Sequence, residues 1–255
     1  MGEIFSNVEI EINTECNRKC SYCPNSKHNN IEKKHMKKEM FERIVNELCK
    51  VFFCGRLSYH FYNEPLLCEN IIYFVTLAKK KLPKCKQVLY SNGDRLDKAL
   101  FVKLLESGVD LFVITNHNEI DELEMHPFYK VYYSLSEEEK KHVVYLTKED
   151  LNLTNRGGTL TNLGDNENYK MPCYMMKSLI VIDVDGNVIS CFEDYYKKMT
   201  VGNIGKSSLL DIWNDKNYME IREELSRGNR LVSNVCKKCN NYSMVNEMGK
   251  YDYIL

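Results

Sequence analysis

Read for the spacing of its apolar residues, the chain alternates between short and long periods. Five short runs have the two-residue rhythm or the β-branched character of strands: "VEIEI" at 8–12, "RLSYHF" at 56–61, "KQVLY" at 86–90, "DLFVI" at 110–114 and "HVVYL" at 142–146. Between them the period lengthens to that of amphipathic helices. Met36–Lys50 places Met40, Ile44, Val45 and Leu48 on one face, and Glu69–Lys81 does so with Ile72, Phe74, Val75 and Leu77. Leu96–Ser107 is closed by Gly108, and a weaker acidic segment covers 119–141. Strands alternating with helices at this spacing predict an α/β fold. Its parallel βαβ units, with right-handed crossovers, curve into a partial (βα) barrel of five strands and four helices, open on one side.

After residue 150 the pattern changes. "NRGGTLTNLGDNENYKMPC" has little apolar periodicity and reads as a connecting loop, giving expected units of 1–150, 151–172 and 173–255. The last unit holds two apolar runs around Asp185-Gly186-Asn187, a hairpin signal, and a helix over "SSLLDIWNDKNYMEIREELSRGN" that ends at Gly228. A hairpin and a helix bury little surface alone, so this unit needs the first one, or a metal, to hold it. Trp213, the one tryptophan, is expected to pack that helix.

Charge excludes more than it suggests. With 35 basic and 36 acidic residues in 255, no net field favours nucleic acid or an anionic membrane. The N-terminus lacks the basic region and apolar run of a signal peptide, and no later run reaches the roughly 20 residues that span a bilayer, so the expectation is a soluble cytoplasmic protein. Gly2 with Ser6 matches the loose N-myristoylation pattern, which often occurs by chance.

Cysteine carries the chemistry. The chain has 11, and in a reducing compartment they read as metal ligands or catalytic thiols before disulfides. Cys49, Cys54, Cys68 and Cys85 lie among apolar neighbours and read as small buried hydrophobes. Cys16, Cys20 and Cys23 follow the first strand at Cys-x3-Cys-x2-Cys spacing, and three thiolates on a short loop can each hold one iron of a [4Fe–4S] cube, leaving the fourth iron open to a small molecule. The alternatives are plain core or loop cysteines, or a zinc site completed by His28 or His35. Cys173, Cys191, Cys236 and Cys239 form a second set, sufficient to close either an all-cysteine zinc site or a fully ligated [4Fe–4S] cluster.

"CNRKCSYC", with Tyr22 before the third cysteine, resembles the signature of radical S-adenosylmethionine (SAM) enzymes. In that family SAM chelates the open iron, and its reductive cleavage yields a 5′-deoxyadenosyl radical that abstracts a substrate hydrogen. "FYNEPLL" at 61–67 resembles the family's Gly-Gly-Glu-Pro turn, with Tyr62-Asn63 replacing the two glycines, so that Asn63, Glu64 and Pro65 become candidate SAM contacts. On the same rim Ser91 and Asn92 of "SNGD" are candidates for the SAM ribose, and Asn116 and His117 of "TNHN" for the cofactor site, although His117 also suits a plain turn. "VISCFEDYYKKMTVGNIGKSSLLDIWND" resembles the accessory modules called SPASM and twitch domains, in the shorter twitch form.

The resemblance runs from end to end, through "YHFYNEPLLC", "LYSNGD", "TNRGG", "CFED", "CKKCNN" and "YDYIL", and narrows to radical SAM dehydrogenases of aminoglycoside biosynthesis that oxidise a secondary alcohol of an aminocyclitol to a ketone. It implies Tyr62, Tyr90, Arg156, Phe192 and Glu193 as substrate residues, with Arg156 catalytic. Glu193 would anchor the amine and Arg156, which stays protonated, would orient the reacting hydroxyl. Each also has a plain structural role open to it: Arg156 bracing the Gly157-Gly158 loop, Glu193 facing solvent, Tyr62 and Tyr90 in the core. Implied cofactors are two [4Fe–4S] clusters and SAM, the second cluster serving as electron acceptor. Implied partners are the small aminocyclitol or polyol and a reducing protein such as flavodoxin or ferredoxin, with the enzyme a monomer. Two other readings stand beside it: a peptide-modifying radical SAM enzyme, and a non-catalytic zinc-binding module.

Overall fold

Alternation along the first strand, β1 (Asn7–Ile10), sorts its side chains onto two faces, and all four are buried. Val8 and Ile10 pack into the main apolar core, whereas Asn7 and Glu9 point the other way. A computed structural model describes residues 4–27, 32–165 and 170–241. The expectations placed on Gly2, His28 and "YDYIL" lie outside the described residues.

From β1 the chain runs through α1 (Lys38–Lys50), β2 (Arg56–Ser58), α2 (Ile71–Lys81), β3 (Lys86–Ser91), α3 (Lys98–Ser107), β4 (Leu111–Asn116), α4 (Pro127–Ser134), α5 (Glu137–Lys140) and β5 (Val143–Thr147). All five strands pair in parallel in chain order, as the periodicity predicts. Phe41 of α1 stacks on Phe74 of α2 at 4.3 Å, tying adjacent crossover helices. Gly108 ends α3 at φ +120°, a conformation that leaves the last carbonyls to its own N–H. The acidic 119–141 segment is not one helix. It divides into a 3-10 turn (Ile120–Met125), α4 beginning at Pro127, and α5 beginning at a Ser136–Glu139 capping box, each start being a preferred helix N-terminus.

The second half continues with α6 (Met175–Ser178), β6 (Leu179–Ile182), β7 (Asn187–Ile189), β8 (Thr200–Asn203), α7 (Leu209–Trp213), α8 (Lys216–Ser226) and α9 (Asn234–Lys238). The hairpin forms where Asp185-Gly186-Asn187 predicts it, with Gly186 at φ +81° and Asp183 accepting from the Asp185 and Asn187 amides. It also extends the barrel. β6 pairs in parallel with β1, Asn7 opposite Leu179 through Ile10 opposite Ile182, so the sheet is eight-stranded in the order β5-β4-β3-β2-β1-β6-β7-β8, with six parallel strands where the periodicity predicts five. The long helix expected over "SSLLDIWNDKNYMEIREELSRGN" breaks at Asn214–Asp215, because the Asp215 carboxylate caps α8 by accepting from the Asn217 and Tyr218 amides. Trp213 packs edge-on to Phe5 at 5.1 Å, with the Arg222 guanidinium 3.9 Å from its ring centroid. Of the four cysteines read as buried hydrophobes, Cys68 and Cys85 are buried; Cys49 is half-buried and Cys54 is exposed.

Charge also joins the two halves. Lys197 bonds Glu11 at 2.7 Å and Asp183 at 3.2 Å, two carboxylates that are nearly fully buried. Removing it leaves two uncompensated buried anions. Lys197→Met is expected to lower unfolding free energy by about 2–4 kcal/mol at pH 7, read from the urea midpoint.

Candidate functional site

The inner face of the sheet changes character from strand to strand. On β3 to β5 it is apolar, with Val88, Leu111 and Val113 forming a small cluster joined by Tyr90, Val144 and Leu146. On β1 and β2 it carries Glu9, Arg56 and, just past the strand end, His60. Above this wall lies a cavity of about 360 Å³ whose lining includes Glu9, Cys16, Cys20, Cys23, Tyr90 and Arg156. A second, of about 390 Å³, shares Tyr90, Arg156 and Phe192 with it and reaches Glu193.

The three-cysteine loop is held from several sides. Cys23 N–H donates to the Cys20 carbonyl at 2.9 Å, and the Arg18 amide and Asn92 Nδ2 approach the Cys16 sulfur at 3.5 and 3.9 Å. Arg18 forks onto Asp94 at 2.6 and 2.7 Å and reaches Asn118 at 3.0 Å, so the loop is fastened to the ends of β3 and β4. The Tyr22 hydroxyl lies 2.5 Å from His117 Nδ1, which gives both residues a place on the cavity wall. Burial pushes the Cys16 thiol up to about 11 and raises those of Cys20 and Cys23.

The "YNEP" turn keeps its shape without its glycines. Asn63 is not among the residues with positive φ, and its side chain accepts from the Phe61 amide at 2.8 Å and donates to Asn13 at 2.8 Å. Glu64 is buried and accepts from Ser91 Oγ, the Leu66 amide and the Asn92 amide at 2.7, 3.0 and 2.8 Å. Asn63, Glu64, Ser91 and Asn92 all line the cavity. Pro65 and Asn116 are not in that lining. Pro65 opens a 3-10 turn, and Asn116 donates to the Leu123 carbonyl and the Tyr145 hydroxyl.

Arg156 takes a left-handed φ of +49°, followed by Gly157 at +59° and Gly158 at +83°. A side chain on Gly157 would meet the Glu193 carbonyl at 2.8 Å, so the loop is pressed against "CFED". Asn155 fixes the turn by donating to the Gly164 and Lys238 carbonyls. This strain holds the Arg156 guanidinium 5.9 Å from the centroids of both Tyr62 and Phe192, with Nη1 3.6 Å from Glu193. Glu193 is buried, 2% exposed, not solvent facing, and accepts from Thr154 Oγ1 at 2.9 Å and Asn241 Nδ2 at 2.8 Å. Tyr62 donates to the Phe192 carbonyl at 2.8 Å, while the Tyr90 hydroxyl accepts from Arg56 at 2.6 Å.

The four remaining cysteines line one pocket with Met175, Met176, Leu225, Glu193, Arg230 and Asn241. The Glu193 and Asn241 amides approach the sulfurs of Cys191 and Cys239, both at 3.4 Å, as amides do around iron–sulfur clusters. Arg230 is buried there, donating to the carbonyls of Met171 and Asn241. Burial drives the Cys191 thiol well above its ordinary value and Cys236 to about 11, so thiolates here need a compensating metal charge. Among the described residues no three His, Cys, Asp or Glu side chains converge on one metal ion, and His35 pairs with Glu15 at 3.0 Å.

A three-thiol loop at the mouth of a parallel barrel, a carboxylate turn beside it and a closed four-thiol pocket behind define a class, and comparison agrees. A model of the radical SAM superfamily matches residues 10–117, and one of the SPASM iron–sulfur cluster-binding domain matches 173–240. The chain belongs to the radical SAM family whose members carry such an auxiliary iron–sulfur domain. The chain is similar to an S-adenosyl-L-methionine-dependent 2-deoxy-scyllo-inosamine dehydrogenase from Niallia circulans, 40% identical over 255 residues and all of both chains. The crystal structure of BtrN in complex with AdoMet and 2-DOIA matches the whole of both chains at 40% identity and a TM-score of 0.91. BtrN in an open conformation matches with 34% identity, equal coverage and a TM-score of 0.77. The cofactors of this family are SAM and iron–sulfur clusters, and the two thiol sets fit them. No helix among the described residues is long and apolar enough to cross a membrane.

Glu9, Arg18, His60, Asp94, Thr154, Arg230 and Asn241 were not singled out by sequence reasoning. One signal was available for Glu9: a buried parallel strand reads as near-continuous apolar sequence, and "VEIEI" breaks that rule twice. Two cubes predict about eight irons per chain after anaerobic reconstitution, falling to about four when Cys16, Cys20 and Cys23 are all replaced by Ala and to about four when the other four cysteines are. Iron assay and zinc analysis on the same samples check this.

Proposed function

We propose that the protein is a radical SAM dehydrogenase that oxidises a secondary alcohol of an aminocyclitol, 2-deoxy-scyllo-inosamine or a near relative, to a ketone. The observation that carries this is the continuity of Cys191, Phe192 and Glu193: a ligand of the closed thiol pocket and two residues facing the second cavity are consecutive in the chain. When bound, the cofactors supply a hydrogen-abstracting 5′-deoxyadenosyl radical at one thiol set and a one-electron acceptor at the other. The chain supplies the rest. Glu64, locked by three donors, presents a fixed carboxylate towards the SAM ammonium. The apolar wall of Val113, Val144 and Leu146 receives the ring carbons of the substrate, and Tyr90 and the Thr154–Glu193–Asn241 group offer polar partners for its hydroxyls and amine.

Arg156 acts by position. Its guanidinium stays protonated, so it orients the reacting hydroxyl and stabilises developing alkoxide charge, while the Glu193 carboxylate behind it holds the fork in place. A small acidic flavodoxin or ferredoxin supplies the reducing electron, and the enzyme works as a monomer in the cytoplasm. Incubation with SAM, dithionite and 2-deoxy-scyllo-inosamine is expected to give 5′-deoxyadenosine and ketone in about equal amounts. SAM cleavage without ketone, or a protein that binds zinc and no iron, would move the reading to another substrate or to a zinc module. Arg156→Lys keeps the charge and loses the fork; kcat/KM for ketone formation should fall about 100-fold with iron content unchanged.

A further inference from the structure

Oxidising an alcohol releases a hydroxyl proton, and the groups lining the cavity differ sharply in their ability to take it. Arg18 and Arg156 are cations. Glu64 has its carboxylate tied to three donors, and burial pushes the Tyr22, Tyr62 and Tyr90 phenols up, so they stay neutral. His117 Nδ1 faces the Tyr22 hydroxyl and burial pushes the ring down to about 4; His60 is pushed down to about 3. One group is left. Glu9 lies on the inner face of β1 and is 3% exposed, with Oε1 3.3 Å from Arg56 Nη2 and 3.9 Å from His60 Nε2. Burial raises its carboxyl to about 7, against the lowering pull of Arg56 and Arg156, so both protonation states are populated near neutrality, as a general base requires.

We propose that Glu9 is the proton acceptor of the dehydrogenation, taking the hydroxyl proton of the substrate while Arg56 and Arg156 balance its charge; this rests on the alcohol-oxidation reading above. The step balances. The carbinol C–H bond breaks homolytically and its hydrogen atom goes to the SAM-derived radical. The O–H bond breaks heterolytically, its proton going to a Glu9 carboxylate oxygen. The remaining electron leaves to the one-electron acceptor that Cys173, Cys191, Cys236 and Cys239 would hold, as the second C–O bond forms. Tyr90, which accepts from Arg56 at 2.6 Å and lies against the His60 ring, tilted by 36° at a centroid distance of 4.4 Å, joins Glu9 to the wall shared by both cavities.

The groups facing Glu9 are Arg56 and His60 from β2 and the turn after it, Tyr90 from β3 and Arg156 from its loop; β6 places Val181 opposite. Between pH 5 and 9 the arginines stay charged and His60 and Tyr90 neutral; burial raises the Glu64 carboxyl of the same cavity as well, so it is the Glu9 variants that assign an acidic limb in the rate to Glu9. With the reconstituted holoenzyme, SAM, dithionite and the aminocyclitol, ketone formation should rise with pH about tenfold per unit below about 7 and level above it. Glu9→Gln should remove that limb and slow ketone formation about 100-fold or more, while iron content and SAM affinity hold. Deuterium from the carbinol carbon should still reach 5′-deoxyadenosine, and a substrate radical should persist in the EPR spectrum. Glu9→Asp, which keeps a carboxylate, should restore part of the rate and an acidic limb at a shifted pH. A wild-type rate and limb in Glu9→Gln, or an unshifted limb in Glu9→Asp should the first variant not fold, overturns the proposal alone. A wild type that makes no ketone at any pH overturns the dehydrogenase reading, and this proposal with it.

Discussion

Four parallel residue pairs between β1 and β6 determine where everything else can be. β1 delivers the chain into the Cys16–Cys23 loop, and β6 delivers it through the hairpin to Cys191. Because these strands are neighbours in one sheet, the two thiol sets are held in one framework, with Phe192 lining the cavity of the first and the adjacent Glu193 the pocket of the second. A flexible linker would leave their separation to chance; a hydrogen-bonded ladder fixes it. Lys197, bridging Glu11 near β1 and Asp183 after β6, reinforces the same join with charge. The accessory unit is thus less an appendage than a continuation of the barrel.

The second organising feature is the gradient across the inner wall. β3 to β5 present branched apolar residues, whereas β1 and β2 present Glu9, Arg56 and His60. A ring with apolar edges and polar substituents suits such a wall better than it suits a uniformly apolar or uniformly charged one. The polar side also carries a cost. Glu9 and His60 are buried enough that each is pushed towards its neutral form, and structures keep groups in that condition chiefly at functional sites. Arg156 adds backbone strain to the same site, and the Asn155 and Gly157 contacts show what maintains it.

Much of this was legible in the sequence, and the reasons for the rest are physical. The βα alternation gave strand and helix positions to within a few residues, since apolar period reports which side of an element is buried. It missed the parallel role of β6, because a run such as "SLIVIDVDGNVISC" looks the same whether its first strand is free or paired with a distant one. The break at Asp215 was hidden because helical period continues on both sides of it, and only the side-chain cap ends the first helix. Cysteine spacing picked out both thiol sets, whereas Arg18–Asp94 and Arg56–Glu9 join residues 76 and 47 positions apart and leave no local pattern. The Tyr62-Asn63 replacement takes two glycines out of that turn, and the non-positive φ and side-chain bonds of Asn63 show how it keeps its course without them.

The account depends on one open and one closed iron–sulfur centre in the same chain, and Mössbauer spectroscopy of protein reconstituted with ⁵⁷Fe reads that directly. Addition of SAM should shift a single iron site, about one-eighth of the absorption area, and leave the other cluster unchanged. A response spread over both clusters, or a spectrum with no SAM-sensitive iron, would contradict it.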